Sequence, residues 1–274
     1  MKGRIAILAA MLAVLMASAV LACAGCAANP GKADAEERIG IISAMDDEVA
    51  LLLSEADIEQ VETIGGVDFN VGTLRGQPVV IMRSGIGKVM SASAVTAMLN
   101  HYSISAVIFT GIAGGVGDQT RVLDQVIATQ LVQHDYGTIT NEGFVWSSSV
   151  PGEEEGEKSF YVCDPDLVAL AVASAEQVVG ADHVFTGVIA TGDQFVASEA
   201  YVQQLQRDFN AFACEMEGAS IAAVCTQYGV PFVVIRTMSD KADGNAHESF
   251  DNMAQLAADN SCRIVLGMLD AMER

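Results

Sequence analysis

Positive charge is scarce in this chain: 14 Lys and Arg stand against 35 Asp and Glu over 274 residues, a formal net charge of −21. Nucleic acid and anionic membrane surfaces would repel such a protein, and no Lys/Arg cluster offsets the repulsion, so a small neutral or cationic ligand suits it better. Histidine is also rare, and His101, His134, His183 and His247 have no ligand spacing. Cys163, Cys214, Cys225 and Cys262 are equally scattered. They read as buried thiols, with a disulfide left open. No metal and no cofactor is implied. Five prolines make no Pro-rich linker, and no internal repeat or low-complexity break follows residue 38, so residues 38–274 are expected to form one domain. At 51% hydrophobic and 18% charged, the chain has the means to bury a sizeable core rather than stay disordered.

The first 26 residues differ from the rest. Lys2 and Arg4 precede an uncharged Ala/Leu/Val/Met run and then small residues with cysteines, the pattern of a secretory signal. The run is also long enough to compete as an uncleaved membrane anchor. Val20-Leu-Ala-Cys23 and Cys23-Ala-Gly-Cys26 both resemble the bacterial lipobox, in which the cysteine is lipidated and becomes the new N-terminus. Cys26 is the favoured lipidation site and Cys23 the alternative. The C-x-x-C they spell lies in an export segment rather than beside a βαβ unit, which argues against a redox pair. Residues 27–37 then read as a short exposed tether. An exported protein, anchored by lipid to the outer face of the cell membrane, is expected. Losing Lys2 and Arg4 would leave it more acidic still.

From Arg38 onward, β-rich apolar runs alternate with amphipathic helical stretches. Strands are expected at 38–43, 78–82, 106–110, 124–134, 184–190, 211–214 and 232–236. Helices are expected from Asp46, over 88–101, 166–179, near 198–206, over 217–228 and from Phe250. Gly65 to Gly76 has hairpin turn chemistry, and Asn141 to Lys158 reads as a polar surface loop able to close over a partner or ligand. Such alternation implies an α/β protein, a three-layer α/β/α sandwich around a central twisted mixed sheet, with the ligand site where loops leave the carboxyl ends of strands.

Three acids stand at separate exits of this kind: Glu48, Glu217 and Asp240. If they converge they can do acid–base work on a polar organic substrate. Singly, each also reads as an ordinary helix-start or turn residue. The glycine runs Ser84-Gly-Ile-Gly-Lys88 and Gly111-Ile-Ala-Gly-Gly115 match neither the phosphate loop nor the dinucleotide fingerprint, and read as tight turns near a ligand. His134 and His247 are candidates for the pocket edge, with structural roles the default.

The ordered set Ile41-Ile-Ser-Ala-Met-Asp-Asp-Glu-Val49, Ser84-Gly-Ile-Gly-Lys-Val89, Thr110-Gly-Ile-Ala-Gly-Gly115, Gly192-Asp-Gln-Phe195, Cys214-Glu-Met-Glu-Gly218, Pro231-Phe-Val-Val-Ile-Arg236, Ser239-Asp240 and Ser249-Phe-Asp251 resembles the bacterial 5′-methylthioadenosine/S-adenosylhomocysteine nucleosidases of the nucleoside phosphorylase superfamily. The resemblance covers residues 38–274. It implies a nucleoside phosphorylase-like fold, a homodimer and a small-molecule purine nucleoside as ligand. It also implies Asp240 as general acid to adenine N7, oriented by Ser239, and Glu48 as base to the attacking water. Glu217 would accept from the ribose hydroxyls, Phe195 would stack on adenine and the Val196 backbone would read its edge. Met45, Met216 and Phe250 would line the ribose and alkylthio pocket. A phosphate-dependent phosphorylase and a non-catalytic nucleoside-binding lipoprotein are the alternatives. The acidic run Asp46-Asp47-Glu48 disfavours phosphate, while Arg83 and Arg236 are the nearby cations that would argue for it. Two departures bear on specificity rather than chemistry: Ile112 stands where many members carry a small hydroxyl residue, and the 141–158 segment is long and acidic.

Overall fold

The computed structural model describes residues 36–152 and 159–272. The signal segment, both lipidation candidates and nearly all of the tether lie outside the described residues.

The chain runs from β1 (Arg38–Ser43) through α1 (Asp46–Glu55) into an antiparallel meander of β2 (Asp57–Ile64), β3 (Val67–Leu74) and β4 (Gln77–Arg83). After α2 (Lys88–His101) come β5 (Ile104–Gly115), β6 (Gln125–Gln133), a separate hairpin of β7 (Gly137–Thr140) and β8 (Gly143–Trp146), and the short β9 (Tyr161–Val162). Then α3 (Pro165–Val179), β10 (Val184–Thr191), α4 (Glu199–Phe209), β11 (Ala211–Glu215), α5 (Gly218–Tyr228), β12 (Phe232–Asp240) and α6 (Ala246–Met272) complete it. Ten strands form one mixed sheet in the order β11-β10-β6-β12-β5-β1-β4-β3-β2, with β9 on β6.

Alternation along the central strands sorts their side chains to two faces. Ile42, Val80, Val107 and Val234 pack with Val95 and Met98 of α2 and Ile221 and Cys225 of α5. Their neighbours Ile41, Val79, Ile108 and Val233 pack with Leu52 of α1, Ala171 of α3 and Val265 and Leu269 of α6. Strands covered on both faces have no solvent side, which is why β1 and β12 read as continuous apolar runs. The three expected layers are therefore present. One feature adds to them: β5 continues past Thr110 so that Gly114 and Gly115 pair antiparallel with Cys214 and Ala213 of β11. This closes β5, β12, β6, β10 and β11 into a ring and draws their carboxyl ends together.

The structure departs from the sequence reading elsewhere as well. The 65–76 stretch is a full strand between two two-residue turns, Gly65-Gly66 and Arg75-Gly76, all four residues with positive φ as tight hairpins of the primed type require. The polar sequence DIEQVETI, unassigned above, is the edge strand β2, which needs only one half-buried face. The 141–158 segment is not all loop, since β8 occupies 143–146; residues 153–158 lie outside the described residues. And α6 begins at Ala246, four positions before Phe250.

Candidate active site

A cleft opens at the carboxyl ends of the strands, lined mainly by apolar side chains with a few convergent carboxyl groups, as small-molecule sites are. All nine residues expected to act on the substrate line it, from four strand exits and one helix. Met45 and Glu48 follow β1, Phe195 and Val196 follow β10, and Met216 and Glu217 follow β11. Ser239 and Asp240 end β12, and Phe250 lies in the first turns of α6. Ala44, Ile86, Ile112, Ala113, Gly114, Gln194, Cys214 and Glu215 complete the wall. Of these, Ile112 stands out in the sequence as a departure from the family pattern and Glu215 as the second acid of the Cys214-Glu-Met-Glu-Gly218 stretch, whereas apolar and backbone lining carries no signature in sequence.

Glu48 is buried in the first turn of α1, where its Oε2 accepts the N–H groups of Ala44 and Met45, both at 2.8 Å. Its Oε1 accepts the Ile112 N–H at 2.9 Å. These bonds fix the carboxylate while burial pushes its pKa up, opposed by the charge of Arg236 and by the three amides. Arg236 is fully buried, 3.9 Å above the ring of Phe109, and its Nη2 donates to Glu215 Oε2 at 2.6 Å and lies 3.6 Å from Glu217 Oε2. Burial opposes its charge, but Glu215, Glu48 and Glu217 outweigh that and hold it firmly protonated. Its Nε and Nη1 have no hydrogen-bond partner among the described residues. Gly111 is what lets Glu48 and Arg236 approach, because a Cβ there would overlap Glu48 Oε1 and come within 2.5 Å of Arg236 Nη1.

The two glutamates of the Cys214-Glu-Met-Glu-Gly218 stretch differ in duty. Glu215 ends β11, pairs with Arg236, and accepts the N–H groups of Glu217 and Gly218 at 3.0 and 2.7 Å, as well as the Thr191 hydroxyl. It is a wall residue whose acceptor capacity is spent on the protein. Glu217 is the N-cap of α5 and accepts one protein N–H, from Gly87 at 2.8 Å. Burial and the Glu215 charge push its carboxyl up to about 8, against the pull of Arg236. Three carboxyl groups around one guanidinium cannot all ionise without an excess of negative charge, which adds to burial in raising Glu217 and which a cationic species would relieve.

Asp240 is held from both sides: Ser239 Oγ donates to Oδ2 at 2.8 Å and the Ala242 N–H to Oδ1 at 2.7 Å. Burial nonetheless raises its pKa, which favours the protonated form an acid catalyst needs. Phe195 is 43% exposed. One ring face stacks on His247 at 4.6 Å, and Phe250 meets it edge-on at 5.9 Å. His134 is buried behind the cleft wall with Nδ1 3.0 Å from the Tyr201 hydroxyl, and burial lowers its pKa.

With this geometry, the comparisons decide the family. The Phosphorylase superfamily model matches residues 38–270. A 5′-methylthioadenosine/S-adenosylhomocysteine nucleosidase of Geobacillus kaustophilus is 39% identical over 238 residues, covering 86% of this chain and 98% of that protein. The crystal structure of the Neisseria meningitidis nucleosidase of the same name, in complex with methylthio-immucillin-A, superposes with a TM-score of 0.76 at 35% identity, covering 85% of this chain and 99% of the other. The chain belongs to the 5′-methylthioadenosine/S-adenosylhomocysteine nucleosidase family of the phosphorylase superfamily. Futalosine hydrolase of Helicobacter pylori is similar on nearly the same terms, with a TM-score of 0.74 at 34% identity over 86% of this chain and 98% of that one.

In this nucleosidase-family chain the two candidate phosphate cations are differently placed. Arg83 is half exposed, pairs with Asp46 at 2.9 Å and faces a neighbouring cleft. Arg236 is fully buried and enclosed by carboxyl groups rather than lining the cleft. Ile112 packs with Met45, Leu123 and Phe250 as an apolar patch of the wall, and only its backbone N–H serves Glu48.

Proposed function

We propose that this protein hydrolyses the N-glycosidic bond of 5′-methylthioadenosine, S-adenosylhomocysteine or a related adenosine nucleoside, releasing adenine and the 5-substituted ribose. The observation that carries the reading is the meeting of Glu48, Glu217 and Asp240 from three strand exits in one cleft. As the glycosidic bond breaks, its electron pair passes to adenine and positive charge develops on the ribose. Asp240 gives its proton to adenine N7, with Ser239 and the Ala242 amide fixing the carboxyl. Glu48, locked by three amides, takes a proton from the water that adds its oxygen to the anomeric carbon. Glu217 accepts from the ribose hydroxyls, and its charge stabilises the cationic sugar. Phe195 and Val196 hold the base, and Met45, Met216 and Phe250 hold the sugar and its thioether.

Water is favoured over phosphate as nucleophile because a dianion would meet Glu48, Glu215 and Glu217, three carboxyl groups gathered around the single buried cation Arg236. The futalosine hydrolase likeness keeps the 5′ substituent open. The test is adenine release from a nucleoside panel by the exported domain; no release from any adenosine derivative refutes hydrolysis and leaves the binding-protein reading.

The protein is exported and held by lipid on Cys26, or on Cys23, where it serves salvage of adenosine thioethers, including recovery of their methionine sulfur, from the surroundings. It works as a homodimer. Exposed Ile86, Val89 and Met90 beside the cleft, and Ile139, Phe144 and Val145 on the β7–β8 hairpin, support a protein partner surface there. No helix among the described residues is long and apolar enough to cross a membrane. Mass spectrometry of the mature N-terminus tests the anchor: a diacylglyceryl cysteine supports it, and an unmodified or uncleaved terminus refutes it.

A further inference from the structure

The first turn of α2 sits between the two sides of the cleft. Its N-cap, Gly87, has no side chain to satisfy the unpaired amides of the helix start. Carboxylates from distant parts of the chain do so: the Gly87 N–H donates to Glu217 and the Lys88 N–H to Asp193 Oδ1, each at 2.8 Å. The Lys88 ammonium then reaches Asp135 Oδ1 at 2.6 Å and Gln133 Oε1 at 3.3 Å, and lies 3.9 Å from Asp193 Oδ2. The second Asp135 oxygen accepts the Asp193 N–H at 2.9 Å and the Gln194 side-chain amide at 3.4 Å. Lys88 and Asp135 are only 17% and 14% exposed, so solvent screens this pair less than an ordinary surface bridge. Gly192, just before, is pressed on His134, whose imidazole a Cβ would overlap. Two residues after Asp193 comes Phe195.

We infer that Lys88, Asp135 and Asp193 are positioning residues that hold the base-side loop, residues 193–196, in register with the ribose-side carboxylate Glu217, so that one preorganised unit meets both halves of a nucleoside. The inference rests on the nucleosidase reading above. Without the clamp, the loop and Glu217 must be ordered by the substrate itself, which weakens binding in ground and transition state alike.

The test uses the full chain and its Lys88→Met, Asp135→Ala and double variants, with Lys88→Arg for rescue and Asp193→Asn as a milder change if Asp135→Ala does not fold. Each single variant is expected to raise KM for methylthioadenosine about tenfold while kcat stays within about twofold, the signature of lost uniform binding. The double variant should be no worse than the poorer single one, because the residues act as a unit. The dissociation constant for free adenine, read by calorimetry, should rise in step, and Lys88→Arg should recover part of the loss. Unchanged adenine affinity in folded variants, or losses that multiply in the double variant, would overturn the clamp. Failure of the wild type to release adenine counts against the nucleosidase reading, and adenine affinity still decides the clamp.

Discussion

At the residue scale, the distinction between Asp240 and Glu48 is one of protonation. Both carboxyls are raised by burial, but in the proposed reaction one gives a proton and the other takes one. Asp240→Asn and Glu48→Gln are each expected to lower kcat by about 10²–10⁴ while adenine still binds, since general acid and base catalysis have that range; steady-state kinetics with adenine calorimetry check this, and near-normal turnover in either variant refutes its role. Gly111→Ala places a methyl group on Glu48 and Arg236, an overpacking expected to cost about 1–3 kcal/mol. Thermal unfolding and kcat should fall together. The acids were legible in the sequence because a carboxylate just past an apolar strand is conspicuous. Arg236 was harder to place: the run Phe232 to Arg236 reads as a strand ending on a charge, yet β12 continues to Asp240 with Arg236 wholly inside. Its partner, Glu215, comes from another strand end, and no local pattern announces that pairing.

At the element scale, boundaries followed from local chemistry where the chemistry is local. Asp46 opens α1 and Lys88 opens α2 as expected. Helix α3 starts on Asp164, whose Oδ1 accepts the N–H groups of Asp166 and Leu167 at 3.0 Å, with Pro165 in the first turn. Asp164→Ala should therefore cost about 1 kcal/mol of stability. Because α3 is remote from the cleft, kcat and KM should stay unchanged, and denaturant unfolding paired with kinetics separates the two. The elements that escaped the sequence reading owe their form to tertiary partners. β2 is polar and is a strand because β3 pairs with it; the last third of β5 is Gly-rich and is extended because β12 and β11 pair with it.

At the scale of the whole molecule, the buried carboxylates make stability depend on pH. Glu217 is raised from 4.5 to about 8, first by burial and then by Glu215. A carboxyl with a folded pKa above its unfolded one adds stability that is complete below the unfolded value and disappears as pH rises through the folded one. The melting temperature is thus expected to fall between about pH 5 and pH 8, and Glu217→Gln to flatten that fall. Calorimetry across this range checks it, and an equal slope in both proteins contradicts it. The three-layer architecture was legible because strand–helix alternation dictates it, whereas the ring closure that gathers the strand ends was not, depending as it does on β5 meeting β11 across a hundred residues of chain.

Water, rather than phosphate, is the proposed nucleophile in this cleft. The most direct measurement follows products from methylthioadenosine, S-adenosylhomocysteine, adenosine and inosine, with and without phosphate, identifying the sugar as well as the base. Adenine and free 5-substituted ribose at the same rate with or without phosphate is the predicted result; strict dependence on phosphate with a sugar 1-phosphate as product would contradict it.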